Sequence, residues 1–222
     1  MIDISRHKEL FNPENFKIPV TIIGAGATGS WLALILAKLG IENINVWDFD
    51  KVEEHNIANQ AYSTKFINKP KVEALHNLIF NQTDTLINFR NEAFTNQRLN
   101  GIVFLMVDSM ETRKSIWENC IKMKPGVKLL VEPRMGLDVG RVYNVDPCNL
   151  THIKEYENTY YSDDVAEVSA CGNSMTVVST AMAVASWCAR QLINFVNDDV
   201  ELNNEILIDF KFNNIFTTTW EG

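Results

Sequence analysis

The chain has 222 residues, 46% of them hydrophobic and 22% charged, with 10 Gly and 6 Pro. That balance excludes a disordered, collagen-like or low-complexity chain and fits one α/β domain. Lys and Arg number 20 against 28 Asp and Glu, a net charge of −8, so no basic footprint points to nucleic acid or an anionic membrane as the main partner.

The first residues carry no apolar core of the kind a secretory signal needs. The longest small-apolar stretch, 175–189, is broken by Ser and Thr and falls short of the ~20 residues of a membrane span. Cys120, Cys148, Cys171 and Cys188 form no CxxC pair, so neither a Cys-based zinc site nor a disulfide framework is expected. The expected compartment is the reducing cytoplasm.

In chain order, IPVTII (18–23) predicts a buried strand running straight into GAGATG and then an apolar helix that stops at Lys38 and Gly40. INVWDFD (44–50) predicts a second strand ending in acids, which completes a unit of the length a parallel crossover requires. Pro70 opens a helix over KVEALHNLIF (71–80). Two more strands are expected over 86–94 and 101–108, the latter almost wholly apolar, as a strand covered on both faces should be. Residues 111–122 read as a helix and 127–132 as a strand.

From 140 the pattern changes. GRVYNV (140–145) reads as an antiparallel addition, and 149–169 is polar and tyrosine-rich without a clean period, a candidate mobile crossover. A small-residue helix is expected over 173–196. The end of the chain, with Ile206, Ile208, Phe210 and Phe212 alternating before Asn213-Asn214, predicts a hairpin. The fold expected is α/β: a doubly wound, mostly parallel sheet with antiparallel strands added by the C-terminal half. One domain covers 1–222, a nucleotide-binding half 1–135 and a partner-binding and crossover half 136–222.

Gly24, Gly26 and Gly29 form G-x-G-x-x-G between a strand and a helix. The first glycine permits a tight turn, the second lets phosphate approach the backbone, and the third lets helix and strand pack closely. Asp48, 19 residues beyond Gly29, stands where an acid binds ribose hydroxyls. These features indicate a nucleotide without naming it.

Beyond the second strand the chain carries D-F-D-K-V-E-E-H-N-I-A-N-Q (48–60) and then K-P-K-V-E-A-L (69–75). Here the sequence resembles the ThiF/MoeB/HesA family, ATP-dependent activators of ubiquitin-like and sulfur-carrier proteins, whose pattern is D-x-D-x-V-x-x-x-N-L-x-R-Q followed by G-x-x-K-V-E. The resemblance covers essentially the whole chain and is densest over 18–75. It implies a Rossmann-like fold and adenylation of a partner's C-terminal glycine carboxylate by ATP, with release of pyrophosphate.

By that resemblance Gly24, Ala25, Gly26 and Gly29 cradle the nucleotide. Asp48 and Asp50 lie at the ribose end, Asn56 and Gln60 line the phosphate region, and Lys71 contacts phosphate. Asp108 and Glu111 match the family's D-x-x-D, whose second acid is the usual Mg2+ ligand; glutamate replaces aspartate here. Ser5-Arg6-His7 resembles the segment whose arginine reaches the ATP site of the other subunit, which implies a homodimer; an ordinary terminal arginine is the alternative. Cys171, in S-A-C-G-N-S, is either a nucleophile that takes the activated carboxylate or a small buried residue. Arg113 and Arg134 are phosphate or partner contacts, or ion pairs.

The family's paired CxxC motifs are missing, so zinc is not expected. The arginine of N-L-x-R-Q is also missing, replaced by Asn59, so either Lys51, Lys65, Lys69 or Arg6 supplies the charge or activity is weakened. Two other readings stay open: a non-catalytic scaffold of the same family, and an NAD-dependent oxidoreductase.

Overall fold

The computed structural model describes residues 2–162, 175–197 and 201–221. Thirteen elements form around one eight-stranded sheet: β1 (Val20–Ile23), α1 (Ala27–Lys38), β2 (Ile44–Trp47), α2 (Lys71–Thr83), β3 (Asn88–Arg90), β4 (Gly101–Leu105), α3 (Met110–Ile116), β5 (Val127–Met135), β6 (Val139–Val145), α4 (Leu150–Asn158), α5 (Val178–Asn197), β7 (Glu205–Asp209) and β8 (Asn214–Thr218). The strand order is β3-β2-β1-β4-β5-β6-β7-β8. The first five strands in that order run parallel, and β6, β7 and β8 each pair antiparallel with the strand before. This is the expected doubly wound sheet, and its order reverses at β1, between β2 and β4, where such sheets bind ligands beyond the strand C-termini.

Side chains alternate across the strands, so each face gathers its own core. Ile22, Phe104, Val131 and Val142 pack under α1, α2 and α5. On the other face Val103, Leu105, Leu130 and Tyr143 pack under Ile116, Trp117, Ile153 and Tyr156. All five residues of β4 are buried, which explains its unbroken apolar run.

Several boundaries differ from the sequence expectation. The strand expected over 86–94 is only Asn88–Arg90: Leu86 is exposed, and Phe94 crosses to the second core, edge-on to Trp47 at 5.3 Å. The α-helix expected over 111–122 ends at Ile116 and widens into a π-turn over Trp117–Ile121. β5 runs past Glu132 to Met135. The segment 149–169 contains a helix, α4, started by the Asn149 side chain, which accepts hydrogen bonds from the Thr151 and His152 amides. In the C-terminal hairpin Ile206 and Ile208 are buried, whereas Phe212 lies exposed in the turn.

Among the described residues no helix is long and apolar enough to cross a membrane.

Candidate active site

Beyond the C-terminal ends of β1, β2, β4 and β5 lies a cavity of about 1020 Å3. Its nucleotide end is built by the glycine turn. Gly24 has φ +102°, and a Cβ there would stand 2.7 Å from the Met106 carbonyl oxygen. A Cβ on Gly29 would stand 2.0 Å from the Gly24 carbonyl oxygen, whereas one on Gly26 would meet nothing within 4 Å. Gly24 and Gly29 therefore close the turn onto the sheet, and Gly26, the cap residue of α1, leaves open space for a ligand beside the helix N-terminus. Gly29 serves packing and does not line the cavity, and the Ala25 carbonyl is held by the Tyr62 hydroxyl at 2.7 Å.

Asp48 ties this turn to the next loop: Oδ2 accepts the Ala25 amide at 2.7 Å and Oδ1 the Asp50 amide at 2.8 Å. Burial raises its carboxyl above the ordinary range, opposed by the Lys71 charge and by the two amides. Lys71, buried at the start of α2, places Nζ 2.8 Å from Asp50 Oδ2. The loop between them is clamped by the Lys71 amide to the Asp50 carbonyl at 2.8 Å and by Asn68 to the Val52 carbonyl at 2.8 Å. Within that loop Asn56 Oδ1 accepts the Glu53 amide at 2.9 Å while the Glu53 side chain accepts in return.

Gln60 and Asn59 come next, both on the cavity. Gln60 Oε1 and Asn59 Oδ1 are buried and have no hydrogen-bond partner among the described residues. Asn59 also joins Thr176 Oγ1 through Nδ2. Both acceptors face the cavity wall, where a donor from outside the described residues would satisfy them. Where the family pattern has a cation, this chain presents the neutral side-chain amide of Asn59. None of Lys51, Lys65, Lys69 and Arg6 lines the cavity, and all four are exposed.

The cations that line it are Lys71, Arg113, Arg134 and Arg141. Arg141 pairs with Glu205. Arg113 and Arg134 both pair with Glu132, a carboxylate with 0% exposure. The two arginines are thus buried ion pairs in the cavity wall, neither surface pairs nor isolated contacts. Burial pushes the Arg113 guanidinium down to about 10, with the Arg134 charge acting the same way. The Arg134 guanidinium stacks on Tyr143 at 4.5 Å and on Tyr161 at 5.5 Å, and donates to the Thr159 carbonyl at 2.7 Å.

Asp108 lines the cavity; Glu111, in the first turn of α3, does not. Mg2+ that arrives on a nucleotide needs only one or two protein carboxylates besides phosphate oxygens, and Asp108 fits that demand. Among the described residues no group of three His, Cys, Asp or Glu could hold a metal by itself. Cys171 lies outside the described residues. Cys120 and Cys188 are buried, and burial raises both thiols. His55 is exposed and pairs with Glu53 at 3.3 Å.

The sequence reading missed Glu132 and Tyr143. An acid closing the apolar run 127–132 looks like a strand end; only its full burial marks it as a partner for cations.

A model described as the ThiF family matches residues 14–221. The chain belongs to the ThiF family. It is 30% identical over 132 residues to ubiquitin-like modifier-activating enzyme 5 of Caenorhabditis elegans, covering 49% of this chain and 31% of that protein. It is 36% identical over 61 residues to the uncharacterized protein y4oA of Sinorhizobium fredii, 28% of this chain and 10% of that one. It thus spans a third or less of these curated relatives.

Among solved structures, E. coli MccB with ATP superposes with a TM-score of 0.67 at 16% identity, covering 92% of this chain and 64% of that one. MccB with its selenomethionine MccA gives 0.68 at 17% identity and the same coverage. PaaA gives 0.67 at 17%, again over 92% of this chain and 64% of that one. These likenesses show the shared fold.

Proposed function

We propose that this ThiF-family chain binds ATP and adenylates the C-terminal carboxylate of a small partner, a ubiquitin-like or sulfur-carrier protein ending in Gly. The observation that carries the reading is the convergence of Gly26, Asp48, Lys71 and Asp108 on one cavity at the switch point of the sheet. It is supported by the family match, by the relative named for modifier activation and by the fold shared with MccB, whose structures hold ATP and MccA.

The amides at the start of α1 receive phosphate, Asp48 accepts from ribose hydroxyls, and Lys71, drawn from Asp50, neutralises phosphate charge. A partner carboxylate oxygen attacks the α-phosphorus; the bond to the bridging oxygen breaks, and its electron pair leaves with pyrophosphate. Mg2+ bound by Asp108 and the phosphates would supply further charge neutralisation. In a second step the Cys171 thiolate would take the acyl group as a thioester and release AMP. Residues 1–222 act as one adenylation domain, in a cytoplasmic homodimer whose Arg6 reaches the neighbouring site.

Pyrophosphate–ATP exchange in the presence of a small Gly-terminated carrier protein tests the reaction. Exchange by the wild-type chain, lost in Lys71→Ala at unchanged fold, is the expected result. ATP binding without exchange would favour a non-catalytic scaffold, a second reading that rests on Asn59 standing where the family pattern has arginine. Binding of NADH but not Mg·ATP in calorimetry would revert the site to a dehydrogenase.

A further inference from the structure

The loop 59–62 lies against the start of α1 through three hydrogen bonds. Trp31 Nε1 donates to the Asn59 carbonyl at 3.1 Å, and Ser30 Oγ accepts the Ala61 amide at 3.1 Å. These two tie the loop to the helix. The third, from the Tyr62 hydroxyl to the Ala25 carbonyl at 2.7 Å, alone reaches the glycine turn. Tyr62 is 4% exposed and does not line the cavity, so it acts on the turn from behind.

The Ala25 carbonyl and the Gly26 amide share one trans peptide, in which C=O and N–H point in opposite directions. With the carbonyl held by Tyr62, the Gly26 N–H points away from the loop, on the side that is open. The two amides before it are already taken, Gly24 by the Trp47 carbonyl at 2.8 Å and Ala25 by Asp48 Oδ2 at 2.7 Å. Gly26, Ala27 and Thr28 all line the cavity, and their amides make no hydrogen bond among the described residues. Gly26 is thus the first donor of the turn left for a ligand.

Glycine also makes this peptide easy to turn over. A half-turn of the Ala25–Gly26 peptide would carry Gly26 from φ −79° to a positive φ, which glycine adopts as readily. The flipped peptide would present its carbonyl oxygen where an anion has to sit. The Tyr62 hydroxyl opposes that flip, because it would lose its acceptor in a buried place. Burial, then the charges of Asp48 and Asp50, push this hydroxyl well above its ordinary range, so it keeps the proton it donates.

We propose that Tyr62 is a positioning residue for phosphate: its hydroxyl locks the Ala25–Gly26 peptide with the N–H facing the cavity. The glycine turn is thereby set to receive an anion. That the anion belongs to ATP rests on the nucleotide reading above.

In 15N-labelled protein the Gly26 N–H resonance, identified by its absence in Gly26→Ala, should move saturably with Mg·ATP and with inorganic pyrophosphate. Tyr62→Phe keeps the ring and removes only the hydroxyl. Titrated below its melting transition, it should bind both phosphates about tenfold more weakly, the loss of one charge-assisted contact. Adenosine, titrated in the same spectra, should bind within about twofold of wild type. Ser30→Ala is the control for a loosened loop: it frees the Ala61 amide and leaves the Ala25 carbonyl held. Its phosphate affinity should stay within about twofold of wild type.

A Gly26 resonance that stays still in wild-type protein saturated with either phosphate overturns the proposal, whatever the variants do. Unchanged phosphate affinity in Tyr62→Phe, an equal loss for adenosine, or the same loss in Ser30→Ala overturns the positioning role and leaves the nucleotide reading in place. Protein that binds pyrophosphate but not ATP, with the loss in Tyr62→Phe, keeps the positioning role and overturns the nucleotide reading. Protein that binds neither overturns both.

Discussion

Gly26 and Gly29 belong to one motif, yet their surroundings ask different things of them. A methyl on Gly29 would overlap the Gly24 carbonyl oxygen, which lies 2.0 Å from the ideal Cβ, and backbone on both sides leaves no flexible end to yield. Gly29→Ala should therefore cost about 3 kcal/mol and lower Tm by roughly 6–12 °C in a chain of this size. Gly26→Ala meets nothing within 4 Å, so its melting curve should match wild type within about 2 °C. Its methyl enters the phosphate space instead. Displacing one charge-assisted hydrogen bond, worth ~1.5–3 kcal/mol, should weaken ATP binding at least about tenfold. Thermal melts and calorimetry on the pair separate the two roles; equal melting losses would refute the division. Asp48 adds a pH signature. Its folded carboxyl is raised by burial, so folding takes up a proton between the ordinary carboxylate range and the raised value. The neutral acid stabilises the fold below that range, and the contribution is lost as pH rises through the folded value. ATP binding has the opposite sign, because ribose hydroxyls need the ionised acceptor: affinity should fall as pH drops through the same window. Asp48→Asn should bind ATP more weakly and without that acid limb, as calorimetry between pH 4 and 7 would reveal.

Elements explain which parts of this site the sequence could show. β1, α1 and β2 announce themselves because the apolar runs, the glycine turn and the terminal acids each arise from local chemistry, and the same locality placed Lys71 after Pro70. α5 was also legible, through its small residues: Ala181, Val184, Ala185, Cys188 and Ala189 are all buried between α1 and the sheet. Its approach is close enough that a Cβ on Gly140 of β6 would stand 2.5 Å from Val184 Cγ2. Ala185→Leu forces a larger side chain into that seam and should cost about 1–3 kcal/mol, read as a lower urea midpoint at unchanged slope. An unchanged midpoint would mean that the seam has room. α4 was not legible, since nine residues with two buried side chains, Ile153 and Tyr156, give too short a period to detect. The Arg113–Glu132–Arg134 cluster was not legible for a different reason. Its partners come from α3 and β5, and nothing in the local pattern distinguishes a buried acid from the end of a strand. Asn59 was visible as a missing cation, but the arginines that charge the cavity lie across the sheet, not at the neighbouring lysines.

At the scale of the whole molecule the net charge of −8 says little about the cavity, whose lining sets Lys71, Arg113, Arg134 and Arg141 among the acids Asp48, Asp50, Glu92, Asp108 and Asp138. It does leave open where Arg6 acts. Arg6 is exposed in the N-terminal turns and does not line the cavity of its own chain, so a catalytic role requires a second copy whose cavity it reaches. Such composite sites make a distinctive genetic pattern in a two-fold dimer. Arg6→Ala and Lys71→Ala should each be nearly inactive in pyrophosphate exchange. When the two are mixed and allowed to exchange subunits, half the dimers pair one of each. In those, the Lys71-containing site borrows Arg6 from the Lys71→Ala subunit and works, while the other site lacks both groups. The mixture should recover about a quarter of wild-type exchange. If it stays at the average of the two single variants while sizing confirms that subunits have exchanged, Arg6 does not complete a neighbouring site. The charge missing at Asn59 would then have to come from within the chain, where Lys71 is the cation nearest the glycine turn's acids, 2.8 Å from Asp50.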